Sequence, residues 1–111
     1  MNAVSVAVNP EELPGEMSGR RLAYLITTGP DGAKVVAVDV VADTGGLVVA
    51  GVGAGSRAHI GDRPAVTLVF PPVDVHDMTL LVDGDATIPG GEDVVVVPRS
   101  AVLHRPAPSL R

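Results

Sequence analysis

The sequence has no cysteine, no tryptophan, and a single residue each of phenylalanine, tyrosine and lysine in 111 positions. Without cysteine there are no disulfides, thiolate metal sites or cysteine nucleophiles. Scarce aromatics and a net charge of −5 remove the stacking platform and basic face that nucleic-acid binding uses, so no nucleic-acid partner is expected. No apolar run is long enough to span a membrane, and the first residues lack the charged-then-apolar pattern of a secretory leader. The reading is a cytoplasmic protein with no membrane partner. Internal repeats and low-complexity tracts are also missing.

What remains is aliphatic. Hydrophobic residues are 46 % of the chain, so the core must be built from valine, leucine, isoleucine and alanine. Branched side chains lose rotamers in helices but pack well on a pleated surface, and here they come in short runs broken by glycine and proline. The length suits one domain. Residues 1–19 form a loosely patterned segment with one helical turn at Asn9-Pro10-Glu11-Glu12-Leu13, which Pro14 and Gly15 are expected to end. Residues 20–105 form the domain, and 106–111 an extended tail.

Within the domain six strands are expected. The first, Arg21 to Thr28, meets the second, Lys34 to Ala42, through the turn Gly29-Pro30-Asp31-Gly32. Asp43-Thr44-Gly45-Gly46 leads to the third, Leu47 to Val52. Ala65 to Phe70 is the fourth, ended by Pro71-Pro72; Met78 to Ile88 is the fifth, with Gly84 marking a bulge or bend. The sixth starts at Val94 and resumes as strand from Arg99 to His104 after Pro98. Short, regularly spaced strands with one brief helix predict a mainly β fold, a small antiparallel barrel. Both faces of the second strand are apolar, with Val36, Val38 and Val40 on one side and Val35, Ala37 and Val41 on the other. No long amphipathic helix exists to cover the second face, so a homodimer is expected.

Between the third and fourth strands lies the stretch richest in chemistry, Val52-Gly53-Ala54-Gly55-Ser56-Arg57, followed by a proline stop at Pro64. Ser56 is a good N-cap for one helical turn, and Arg57 offers a fork suited to phosphate. Two readings stay open: an anion-holding loop, or a glycine-rich connection between strands. Elsewhere the sequence offers little. His59, His76 and His104 are not at metal-ligand spacing, and each is expected to be solvated or singly hydrogen-bonded. Asp83 and Asp85 flank Gly84 on one strand face and read as a wet strand end rather than an acid/base pair. Ser56 has only His59 within helical reach, which is thin support for a nucleophile.

The run Leu22-Ala23-Tyr24-Leu25-Ile26-Thr27-Thr28, its Asp-Gly turn, the strand before Gly55-Ser56-Arg57, and Asp62-Arg63-Pro64-Ala65-Val66-Thr67-Leu68-Val69-Phe70 resemble the pyridoxamine 5′-phosphate oxidase-like family. The resemblance covers roughly residues 20–105. It implies a six-stranded split β-barrel with one or two short helices, dimeric, binding FMN at the subunit interface; wider relatives use a deazaflavin or haem. It implies oxidoreductase chemistry with a substrate that cannot be carried over. It assigns Ser56 and Arg57 to the flavin phosphate, and Val52, Gly53, Ala54 and Gly55 to its phosphate and ribityl chain. Two departures stand out: Ala58 follows Ser-Arg where the family's oxidases have lysine, and Ala37 stands at the usual strand arginine. Lys34 and Arg63 are the cations left to compensate. Loss of those charges leaves a second reading, a dimeric binding or structural module without tightly held cofactor.

Overall fold

The computed structural model describes residues 4–74, 77–91 and 93–106. Among them seven strands and two short α-helices follow in the order β1 (Val4–Val8), α1 (Leu13–Met17), β2 (Ala23–Gly29), β3 (Gly32–Asp43), β4 (Gly46–Ala50), α2 (Ala54–Asp62), β5 (Ala65–Phe70), β6 (Thr79–Thr87) and β7 (Val94–Arg105). Every strand pairing is antiparallel. The lateral order is β1-β7-β4-β3-β2-β5-β6, and β6 also pairs with β7, so six strands close a barrel and β1 adds to its rim. Closure leaves no open edge within the ring.

The ring is the six-stranded barrel expected from the valine runs and turns. β1 is the addition. Residues 4–8 alternate Val-Ser-Val-Ala-Val and pair with Ala101 to Arg105, a partner nearly a hundred positions away. The helical turn at Pro10–Glu12 also runs on, through Pro14 and Gly15, into α1. Proline is tolerated there because it occupies the first turn, where its missing N–H has no acceptor to lose.

Inward-facing residues alternate along each strand: Leu25 on β2, Leu47 and Val49 on β4, Val66, Leu68 and Phe70 on β5, Leu80 and Val82 on β6, and Val94 and Val96 on β7, all buried. Along β7 the inward set switches from Val94 and Val96 to Ala101. The switch follows a register shift opposite Asp83 and Gly84, where Pro98 cannot donate to the ladder and Arg99 is the extra residue. A Cβ on Gly84 would stand 2.5 Å from the Val97 carbonyl oxygen, so this bulge requires glycine.

Both hairpin turns form as read, with Gly29 opposite Gly32 and Asp43 opposite Gly46. The expectation of two buried faces on β3 is not met within one chain. Val36, Val38, Val40 and Ala42 lean on the core, whereas Val35 and Val41 are 59 % and 65 % exposed. The outward side of β3 is therefore open in the single chain. No helix among the described residues is long and apolar enough to cross a membrane.

Candidate anion site at the amino terminus of α2

After β4, Gly51 turns the chain with φ +86°, a left-handed conformation that suits glycine, and α2 begins at Ala54 with Gly53 as its cap. Ser56 is thus not the N-cap expected from the sequence. It is the third helical residue, because the helix starts at Ala54 with Gly53 as its cap, and α2 spans nine residues rather than one turn. Ser56 and Ile60, four apart, face inward and are 1 % and 3 % exposed. Ser56 Oγ is buried and has no hydrogen-bond partner among the described residues, a condition that costs a polar group about 1–3 kcal/mol.

Among the described residues no side chain caps α2, and no acidic residue stands in its first turn. Its first intrahelical bond runs from the Arg57 amide to Gly53 O at 3.0 Å, so the amides of Ala54, Gly55 and Ser56 precede the ladder. Gly53, Ala54 and Gly55 are exposed. The lone lysine comes to the same place: Lys34 Nζ lies so close to Gly55 that a Cβ there would collide with it. Lys34 sits on β3 directly opposite Thr27 of β2, hence on the inward side of that pair.

Arg57 is differently employed. Its Nε donates to Val52 O at 3.0 Å and its Nη1 to Gly91 O at 3.2 Å, tying the loop before α2 to the turn after β6. Arg63 is at the other end of α2, its amide donating to His59 O at 2.7 Å. The structure therefore brings Gly53, Ala54, Gly55, Ser56 and Lys34 together, keeps Val52 and Arg57 beside them as a strap, and leaves Arg63 away. Among the described residues the one ion pair is Arg99–Asp85 at 3.1 Å, so neither Lys34 nor Arg57 is neutralised by a carboxylate there.

His59 shares one hydrogen bond, Nδ1 to Thr27 Oγ1 at 3.0 Å, and its ring packs on Gly29 where a Cβ would have to be. His104 Nδ1 meets Ser5 Oγ at 3.1 Å; His76 lies outside the described residues, as does most of the 106–111 tail. Asp83 accepts from Thr67 Oγ1, and Asp85 pairs with Arg99 on the exposed outer face. No three His, Asp or Glu residues converge as a metal site among the described residues. Sequence reasoning missed Arg20, whose Nε donates to Glu16 O at 2.7 Å and whose Nη1 reaches Met78 O at 2.8 Å and Phe70 O at 3.2 Å. It locks α1 to the ends of β5 and β6. No sequence signal marks it, because a guanidinium that bonds backbone carbonyls leaves no side-chain motif.

A phosphate monoester fits the α2 terminus chemically. Among the described residues, the exposed amides, a helix start without a side-chain cap, an ammonium without a carboxylate partner and a hydroxyl without a hydrogen bond all favour an anion with several acceptor oxygens.

No protein-family profile matches the chain. Over 85 residues it is 40 % identical to the uncharacterized proteins Mb0449c of Mycobacterium bovis and MT0457 of Mycobacterium tuberculosis, over 71 % of this chain and 53 % of each of those. The chain spans about half the length of the curated relatives it matches. Its fold is similar to that of an FAD-binding protein from Mycobacterium smegmatis, with TM-score 0.65 and 14 % identity over 92 % of this chain and 99 % of that one. An FAD-binding protein from Mesorhizobium loti gives 0.67 and 10 %, over 93 % and 98 %. A pyridoxamine 5′-phosphate oxidase candidate from Corynebacterium glutamicum gives 0.67 and 13 %, over 94 % and 100 %. The chain has the split-barrel fold shared by these flavin-binding and oxidase-like proteins.

Proposed function

We propose that this chain binds a phosphate-bearing flavin, FMN or a deazaflavin, with the phosphate at the amino terminus of α2. In this reading the protein is an oxidoreductase of the pyridoxamine 5′-phosphate oxidase-like family, cytoplasmic and homodimeric, with its substrate unassigned. The observation that carries it is the meeting of the only lysine with a helix terminus that, among the described residues, has no side-chain cap and stands beside a buried Ser56 Oγ without a partner. Lys34 stands in for the cations missing at Ala37 and Ala58. A bound flavin supplies hydride transfer, and the protein supplies orientation and electrostatics. The amides of Ala54 and Gly55 and the Lys34 ammonium bind the phosphate, while Arg57 fixes the loop through Val52 and Gly91 and adds its charge. The open outer face of β3, with Val35 and Val41, supports a second copy as its cover.

The second reading is a dimeric module without tightly held flavin. What favours it is Arg57, whose Nε and Nη1 already serve two backbone carbonyls. Purified protein mixed with FMN or with a deazaflavin and passed through gel filtration separates the two readings. Flavin absorbance that co-elutes with the protein supports the first; colourless protein after both incubations supports the second.

A further inference from the structure

Two contacts join the same rung of the sheet to the same face of α2. Thr27 and Lys34 are directly opposite in the β2–β3 ladder, and such pairs project to one side with Cβ atoms about 5 Å apart. Gly55 and His59 are four apart on α2 and so also share one side. Thr27 Oγ1 meets His59 Nδ1 at 3.0 Å, and Lys34 Nζ meets Gly55. Thr27 is fully buried, and the imidazole rests on Gly29, where Nε2, Cε1 and Cδ2 together fill the space a side chain would need.

We propose that Thr27, His59 and Gly29 form a latch that holds Lys34 at the amino terminus of α2. Left to itself, an ammonium is repelled from the positive end of a helix, and no carboxylate among the described residues pairs with Lys34. The latch opposes that repulsion by fixing the separation of β2 and β3 from α2 one helical turn beyond Gly55. Gly29 leaves room for the imidazole ring, and Gly55 leaves room for the end of the Lys34 side chain. His59 and Thr27 are thus positioning residues: they touch no ligand and act through Lys34. The ligand-binding consequence rests on the phosphate reading above; the latch itself does not.

Because the chain has one lysine, supplying lysine labelled with ¹³C at Cε gives one side-chain NMR signal, which reports the mobility of Lys34 without any ligand. The variants are Thr27→Val, which keeps the shape and removes the hydroxyl, His59→Leu, and Thr27→Ser, which restores the hydroxyl. The Lys34 Cε order parameter is expected to fall by roughly half in Thr27→Val and His59→Leu and to stay at the wild-type value in Thr27→Ser. Equal order parameters in wild type and Thr27→Val overturn the latch. In a parallel titration the FMN dissociation constant rises about fivefold in Thr27→Val, riboflavin binding is unchanged, and adding Thr27→Val to Lys34→Met costs nothing more. Lys34 loosened with FMN affinity intact overturns the role in binding. Wild-type protein that binds neither FMN nor riboflavin contradicts the flavin reading instead, and the NMR comparison then decides the latch alone.

Discussion

Lys34 and Arg57, the two cations nearest the start of α2, do different work. Arg57 spends two donors on the carbonyls of Val52 and Gly91, so its first role is to hold the loop that positions α2. Among the described residues Lys34 makes no comparable bond, and it is the cation placed to meet an anion at Gly55. Replacing Arg57 with alanine is therefore expected to lower stability by about 1–3 kcal/mol as well as weakening FMN, which thermal unfolding and titration measure together. Replacing Lys34 with methionine should leave the unfolding midpoint within a degree or two, as is usual for an exposed side chain, while weakening FMN. An unchanged unfolding curve for Arg57→Ala would refute the strap. The sequence draws attention to Ser56 and Arg57, but it misassigned Ser56 as the cap. Capping depends on where the helix starts, and α2 starts at Ala54, three residues earlier than a Ser56 cap implies.

At the scale of elements, turns and valine runs made six strands legible, because each strand is bounded by glycine or proline and its partner is mostly the next strand along the chain. β1 was not legible. Its partner is the far half of β7, and a segment whose pairing is this remote shows only a faint alternation of its own. α1 was shortened for a different reason: Pro14 reads as a stop, yet at the start of a helix it costs no hydrogen bond. Gly84 was read as a bulge or bend; the ladder has a bulge opposite it, at Arg99, and the need for glycine there is steric. Gly84→Val is expected to lower stability by about 2–4 kcal/mol in chemical denaturation, because the obstructing atom is a backbone carbonyl that cannot swing aside. A variant as stable as wild type would mean that β6 and β7 tolerate a different register.

For the molecule as a whole, closure of the barrel hides the core but leaves the outer side of β3 open, with Val35 and Val41 more than half exposed. The two-sided apolar pattern was visible in the sequence; which side faces the barrel was not, since both sides carry valine. Leu68 is on the inner side and fully buried, so Leu68→Asp should abolish cooperative unfolding by forcing an unpaired charge into the core. Val41→Asp, on the outer side, should fold and sediment as a monomer at micromolar concentration where the wild type sediments as a dimer. A wild-type monomer would leave β3's outer face uncovered and contradict the homodimer.

The central claim is that a flavin's phosphate is held at the amino terminus of α2, and calorimetric titration of wild type and Lys34→Met with FMN and with riboflavin tests it most directly. Charge-assisted phosphate contacts contribute about 1.5–3 kcal/mol, so wild type should prefer FMN to riboflavin by at least about tenfold. Lys34→Met should lose most of that preference while binding riboflavin as before. Equal affinity of the wild type for FMN and riboflavin, or a preference that survives in Lys34→Met, would contradict the assignment.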